Sequence, residues 1–264
     1  MAFLKMRFSS SSLTRTVNFQ MSLPNDITWG DAKQYERPMK VLFLLHGYTG
    51  FEGDWFLSSD MYNLSCQNNM AVICPAGENS FYTNGTITGR DYATFLGEEL
   101  PAYLKKTFGM TVNRENATIG GYSMGGYGAL LTALRYPDTF GHCFALSSAL
   151  IEQVVQTMKP GFEDTLANYE YYKLVFGDLS AMENSMGNPR EVVRQQIRNG
   201  VQLPEIFMAC GTSDFLIENN RSFHAFLQEQ NIEHTYIEDE GDHCWDFWGP
   251  YSKKAVKWAL DLQE

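Results

Sequence analysis

Gly121-Tyr122-Ser123-Met124-Gly125 sets a serine between two glycines, directly after the apolar run Ala117-Thr118-Ile119-Gly120-Gly121 and before a helical pattern. A G-x-S-x-G in that context is the pattern of a nucleophile carried on a sharp strand-to-helix turn, whose small flanking residues let strand and helix pass closely. The same glycines do not make a phosphate cradle. After Gly126-Tyr127-Gly128 the third glycine position holds Leu131, and no lysine follows. The bland alternative is a glycine-rich turn with an incidental serine.

A serine hydroxyl is a poor nucleophile alone and needs a base, itself oriented by a carboxylate, in the chain order Ser…Asp…His. Asp214, in Gly211-Thr212-Ser213-Asp214, follows the apolar run 206–210, and His243, in Gly241-Asp242-His243, follows the last strand pattern. Asp239, Glu240 and Asp242 compete with Asp214 as the orienting acid. Side chains adjacent in an extended loop diverge, which disfavours Asp242. His142, His224 and His234 fall in helix, loop or strand patterns, and His46 reads as a structural turn residue. An oxyanion needs two backbone N–H groups. Met124, next after the serine, offers one, and Tyr48 in His46-Gly47-Tyr48 offers the other. Phe81, Tyr82, Trp245 and Trp248 are available to stack a substrate, although aromatics at 14% of the chain also fill cores.

These residues need a scaffold that brings loop ends together. Lys5-Met6-Arg7-Phe8 and the stretch 15–23 alternate polar and apolar, predicting antiparallel strands with one wet face, the second ended by Pro24-Asn25-Asp26. The runs 41–45, 70–74, 117–121, 143–146 and 206–210 are short and mostly apolar, as parallel strands buried on both faces are, and 234–237 predicts a last strand. Helical patterns fall between them: 92–108 with an interruption at Pro101, then 125–135, 220–230 and 245–262. The fold class is α/β, a mostly parallel central sheet with antiparallel N-terminal strands and helices on both faces. The chain of 264 residues reads as a single domain over 1–264. Residues 147–204 are too long for one crossover helix, and with Tyr169, Tyr171, Tyr172 and Phe176 they read as a helical cap over the sheet edge where ligands bind.

Composition narrows the partners. With 20 Lys+Arg against 31 Asp+Glu the net charge is −11, which disfavours nucleic acid and anionic membrane surfaces. No run approaches a membrane span, and the start of the chain lacks a signal-peptide apolar segment, so a cytoplasmic protein is expected. Five cysteines without a C-x-x-C pair, and five histidines without ligand spacing, predict no metal site and no cofactor. A homo-oligomer stays open.

The residues His46-Gly47-Tyr48, Gly121-Tyr122-Ser123-Met124-Gly125-Gly126-Tyr127-Gly128-Ala129, Cys210-Gly211-Thr212-Ser213-Asp214 and His243-Cys244-Trp245-Asp246-Phe247-Trp248 resemble the esterase D-like branch of the α/β-hydrolase superfamily. That branch includes tributyrin-type acetyl esterases, carbohydrate and feruloyl esterases, S-formylglutathione hydrolases and mycolyltransferases. The resemblance implies Ser123 as nucleophile, His243 as base, Asp214 as its partner, the Tyr48 and Met124 amides as oxyanion hole, and a small-molecule ester as substrate. S-formylglutathione hydrolases usually carry Ser-Gly-Leu-Thr-Cys at the oxyanion loop. This chain has His46-Gly47-Tyr48-Thr49-Gly50 instead, which favours short-chain acetyl-type esters, of carbohydrates among others. A feruloyl or cinnamoyl esterase, or a thioesterase with the same triad, is the alternative. A non-catalytic relative would be expected to lose a triad residue, and none is lost.

Overall fold

The computed structural model describes residues 2–24 and 38–261. Eight strands form one sheet in the order β1-β2-β4-β3-β5-β6-β7-β8. They are β1 Ala2–Ser10, β2 Arg15–Leu23, β3 Lys40–Leu45, β4 Met70–Pro75, β5 Ala117–Tyr122, β6 His142–Leu146, β7 Glu205–Gly211 and β8 Thr235–Asp239. β1 pairs antiparallel with β2 and β2 antiparallel with β4, and every other pairing is parallel. The sheet is therefore mixed and mostly parallel, with antiparallel strands at its N-terminal edge. Asn25 and Asp26, expected to end the second strand, lie outside the described residues.

The continuous apolar runs have a plain cause. Val41, Phe43 and Leu45 of β3 enter one core while Leu42 and Leu44 enter the other, and β4 splits likewise, Ala71 and Ile73 against Met70, Val72 and Cys74. These two strands are covered on both faces, so neither parity can be polar.

The helices are α1 Asp54–Ser58, α2 Met61–Gln67, α3 Tyr92–Thr94, α4 Leu100–Phe108, α5 Met124–Arg135, α6 Glu152–Val155, α7 Tyr169–Phe176, α8 Pro189–Arg198, α9 Ile217–Glu229 and α10 Trp245–Ala259. α4, α5, α8 and α9 contribute to one core, whereas α1, α2 and α10 contribute to the other. α1 and α2 go beyond the sequence reading. The interruption near Pro101 is a π-helical turn, Phe95–Glu99, placing the proline in the first turn of α4, where its missing N–H matters least. Between β6 and β7 the chain forms α6, α7, a 3-10 segment Leu179–Asn184 and α8 rather than one crossover helix. Among the described residues no helix is long and apolar enough to cross a membrane.

Ser123 follows β5, Asp214 follows β7, His243 follows β8 and Tyr48 follows β3. Four parallel strands thus deliver four loops to one sheet edge, where α/β sheets bind ligands.

Candidate active site

Ser123 sits between β5 and α5 at φ 55° and ψ −121°, a left-handed backbone that a non-glycine residue adopts only when its surroundings hold it there. They do. Its N–H donates to the Leu146 carbonyl at 2.9 Å, and its carbonyl accepts from Tyr127 at 3.1 Å and Ala149 at 3.0 Å. The flanking glycines are steric necessities. A Cβ on Gly121 would lie 2.2 Å from the Gly125 carbonyl oxygen, and one on Gly125 would lie 2.2 Å from that of Leu45.

From the half-buried Ser123 a hydrogen-bond series runs inward. His243 Nε2 is 3.0 Å from Ser123 Oγ, and His243 Nδ1 is 2.8 Å from Asp214 Oδ2. A carboxylate only accepts, so Nδ1 carries the proton and the Nε2 lone pair is left for the serine hydroxyl. Asp214 is 2% exposed. Burial alone would raise its carboxyl, but hydrogen bonds from His243, Ser147 and the Leu216 N–H outweigh that and hold it below the usual carboxylate value. The competitors for this place are occupied elsewhere. Asp242 Oδ1 accepts the backbone N–H of His243 itself at 2.8 Å, and Asp239 Oδ2 accepts the Tyr251 hydroxyl at 2.5 Å. The two loops are locked together, since Ser213 N–H donates to the Gly241 carbonyl at 2.9 Å and Thr212 N–H to that of Asp239 at 2.8 Å.

The loop after β3 is tied at nearly every backbone group. Trp55 Nε1 donates to the Leu45 carbonyl, the Tyr82 hydroxyl to that of His46, and Gly50 N–H and His46 Nδ1 to that of Gly47. Thr49 N–H donates to Asn79 Oδ1 and Phe51 N–H to Asp54 Oδ2. Among the described residues the N–H groups of Tyr48 and Met124 have no acceptor. Met124 opens α5, so its donor lacks an intrahelical partner by construction. His46 is structural: Nδ1 donates to Gly47 and Nε2 accepts from Gly77 N–H at 2.9 Å, which demands the neutral ring that burial also favours.

A cavity of about 530 Å³ opens over Ser123 and His243. Phe81, Tyr48, Tyr171, Leu166, Ile151 and Phe215 line it, so of the four aromatics singled out in the sequence Phe81 alone faces it. Tyr82 is fully buried and packs against Gly77 and Gly128. Trp245 and Trp248 turn away from the cavity and pack on Tyr122, at ring distances of 4.8 and 4.4 Å. Tyr82, Trp245 and Trp248, expected from the sequence to meet substrate, are not among the residues that line this cavity. Phe215 and Asn79 escaped the sequence reading. The Phe215 ring stands 4.5 Å from His243 and the residue is 70% exposed, while the Asn79 carbonyl accepts the Tyr171 hydroxyl at 2.8 Å. Phe215 follows Asp214 directly, which is the one signal that could have flagged it.

The sequence profile of the Esterase family matches residues 10–256. An acetyl esterase of Caldicellulosiruptor saccharolyticus is 36% identical over 269 aligned positions, spanning 100% of both chains. Of solved structures, Staphylococcus aureus FphF, a fluorophosphonate-binding serine hydrolase, superposes with a TM-score of 0.84 at 25% identity, covering 98% of each chain. The S-formylglutathione hydrolase FrmB of the same organism gives 0.81 at 24% identity over 98% of each chain, a likeness of fold.

Proposed function

The chain belongs to the esterase family of the α/β-hydrolase superfamily and is a carboxylic ester hydrolase, and from that premise we propose that it cleaves short-chain, acetyl-type esters through a covalent acyl-enzyme on Ser123. The observation that carries the reading is the series Ser123 Oγ, His243 Nε2 at 3.0 Å and Asp214 Oδ2 at 2.8 Å from Nδ1, at the floor of a cavity.

In this reading Ser123 Oγ attacks the ester carbonyl as its proton passes to His243 Nε2. Asp214 keeps the imidazole in the reactive tautomer and stabilises the imidazolium. The carbonyl oxygen becomes an oxyanion received by the N–H groups of Tyr48 and Met124, a pair whose members are each worth about 10²–10³ in rate in comparable sites. Collapse breaks the C–O bond to the alcohol, which leaves with the proton held on Nε2. Water then repeats the sequence: His243 takes its proton, the hydroxide adds to the acyl carbon, and Ser123 departs with the proton returned. The segment 147–204 acts as a cap, contributing Ile151, Leu166 and Tyr171 to the cavity wall and none of the proton-transfer groups.

The acetyl assignment is supported by the full-length relative at 36% identity. A second reading, an esterase for aromatic acyl groups, draws on one observation: Tyr48, Phe81, Tyr171 and Phe215 surround the cavity. Hydrolysis of aryl esters from acetate to octanoate, of methyl ferulate and of an acetylated xylooligosaccharide separates the two. Highest kcat/KM on acetyl esters supports the first reading. Preference for methyl ferulate overturns it in favour of the second.

A further inference from the structure

Tyr122, the last residue of β5 and the one before the nucleophile, is not among the residues that line the cavity. Its side chain goes instead to the loop that carries Tyr48. The hydroxyl donates to Asp54 Oδ2 at 2.7 Å, and the same oxygen accepts the Phe51 N–H at 3.2 Å. Asp54 opens α1, and Phe51 belongs to the loop 46–53 between β3 and α1. One carboxylate oxygen thus joins the end of β5 to the oxyanion loop, through hydrogen bonds of the stronger, charge-assisted kind. Burial pushes the Tyr122 phenol well up, so it stays protonated and donates.

Two glycines show how closely this pair is built into the loop. A Cβ on Gly47 would lie 2.4 Å from Tyr122 Cε2, so the ring edge rests on the backbone immediately before Tyr48. A Cβ on Gly50 would lie 2.2 Å from Asp54 Oδ2 and 3.0 Å from the Gly47 carbonyl oxygen. The phenol and the carboxylate therefore fill the places in His46-Gly47-Tyr48-Thr49-Gly50 where side chains would otherwise stand. Trp248 stacks on the Tyr122 ring at 4.4 Å, and Trp245 and Trp55 meet it edge-on at 4.8 and 5.5 Å. A ring held among three indoles has little freedom to move, so it carries the position of β5 to the loop. The need for such a strut is specific to one donor. The Met124 N–H rides on the same turn as Ser123, whereas the Tyr48 N–H comes from a separate element whose place has to be set.

We propose that Tyr122 and Asp54 are positioning residues of the oxyanion hole: their hydrogen bond sets the distance between Ser123 and the Tyr48 N–H, so that the oxyanion forms within reach of that donor. The inference rests on the acyl-enzyme reading of Ser123 with Tyr48 as an oxyanion donor. Neither residue touches substrate. Tyr122 acts through the Gly47 backbone, and Asp54 through Tyr122 and the Phe51 N–H.

Steady-state kinetics on p-nitrophenyl acetate and inhibition by an alkyl trifluoromethyl ketone test this for wild type, Tyr122→Phe, Asp54→Asn, Asp54→Ala and Tyr122→Phe with Asp54→Ala. Ser123→Ala is run in parallel. Ser123 Oγ adds to the ketone carbon, its proton passing to His243, and the ketone oxygen becomes an oxyanion in the hole, so Ki reads the donors. Tyr122→Phe keeps the ring among the indoles and removes only the hydroxyl. It is expected to lower kcat about 10-fold, a part of the ~10²–10³ that one oxyanion donor is worth, with KM little changed. Ki should rise by the factor by which kcat/KM falls, as an interaction made in the transition state requires. Asp54→Asn keeps an oxygen for both donors and should stay within about threefold of wild type. Asp54→Ala should lose at least as much as Tyr122→Phe, and removing the hydroxyl in that background should cost little more. Should Asp54→Ala not accumulate folded, Tyr122→Phe and Asp54→Asn still decide through kcat and Ki. A Tyr122→Phe enzyme with wild-type kcat and Ki, even one with a lowered Tm, overturns the proposal, as does full additivity of the two substitutions. Wild-type activity and ketone inhibition in Ser123→Ala would instead overturn the acyl-enzyme reading beneath it.

Discussion

An alanine at Gly125 would separate the serine turn from the loop that carries Tyr48. A methyl group there would lie 2.2 Å from the Leu45 carbonyl oxygen, 2.6 Å from its carbon and 2.7 Å from the His46 carbonyl oxygen. All three are backbone atoms, tied by Trp55 and Tyr82, so nothing can swing aside. Reaching ordinary contact requires the two elements to part by about 1 Å, an overpacking that costs about 1–3 kcal/mol. For a chain of this size that is a fall in Tm of roughly 2–12 °C. The larger effect is on rate, because Ser123 and the Tyr48 N–H ride on the two elements being parted. A misplacement of about 1 Å between reacting groups costs on the order of 10² in kcat. Gly126→Ala is the control. Its methyl would meet Leu146 and Ser148 atoms at 3.2 Å, a contact relieved by a few tenths of an ångström, so its loss should be much smaller. Steady-state kinetics on p-nitrophenyl acetate with melting curves on the same preparations read both quantities. A Gly125→Ala protein with wild-type kcat and Tm would refute the reasoning.

Asp214→Asn should lower kcat by about 10⁴, by favouring the wrong imidazole tautomer. Asp242→Asn keeps an oxygen for the His243 N–H and should cost far less, and steady-state rates in the reverse order would exchange the two carboxylates. Tyr171→Ala should shift the acyl-chain profile or KM while leaving the deacylation rate nearly constant. An unchanged profile would make Tyr171 mere packing. Burial lowers the His46 value below that of ordinary imidazole, so the unfolded chain binds more protons there than the folded one. Stability should then fall as pH drops from about 6.5 through the lowered folded value. In melts between pH 8 and 5, His46→Gln should flatten that segment, and an unaltered slope would count against a neutral buried ring.

Much of this site could be read before any fold was known, because its parts follow strands of unmistakable pattern. Val41 to Leu45 and Met70 to Cys74 are apolar at both parities, so their ends mark the sheet edge where Tyr48, Ser123 and Asp214 emerge. The glycines at 121 and 125 announce a close strand–helix approach, and the structure supplies the colliding atoms. Side-chain direction is what the pattern could not give. Trp248 is near His243 in sequence and space, but it begins the stripe Trp248, Tyr251, Ala255 and Ala259 that α10 buries, and the indole turns with that face. Tyr82 was equally ambiguous, since a turn beside a ligand site and a turn beneath it look alike. The helices α1 and α2, five and seven residues long, are too short for a 3.6-residue period to show.

The central claim is that an acyl group passes through Ser123. Acid-quenching the enzyme during turnover of p-nitrophenyl acetate and mapping the adduct by peptide mass spectrometry tests it most directly. The account predicts an acetyl group on the peptide carrying Ser123, formed in a burst of nitrophenol and absent from Ser123→Ala, which should retain only the residual catalysis of the oxyanion hole. Acetylation at another residue that turns over at the steady-state rate, or a folded Ser123→Ala enzyme with near wild-type kcat, would contradict it.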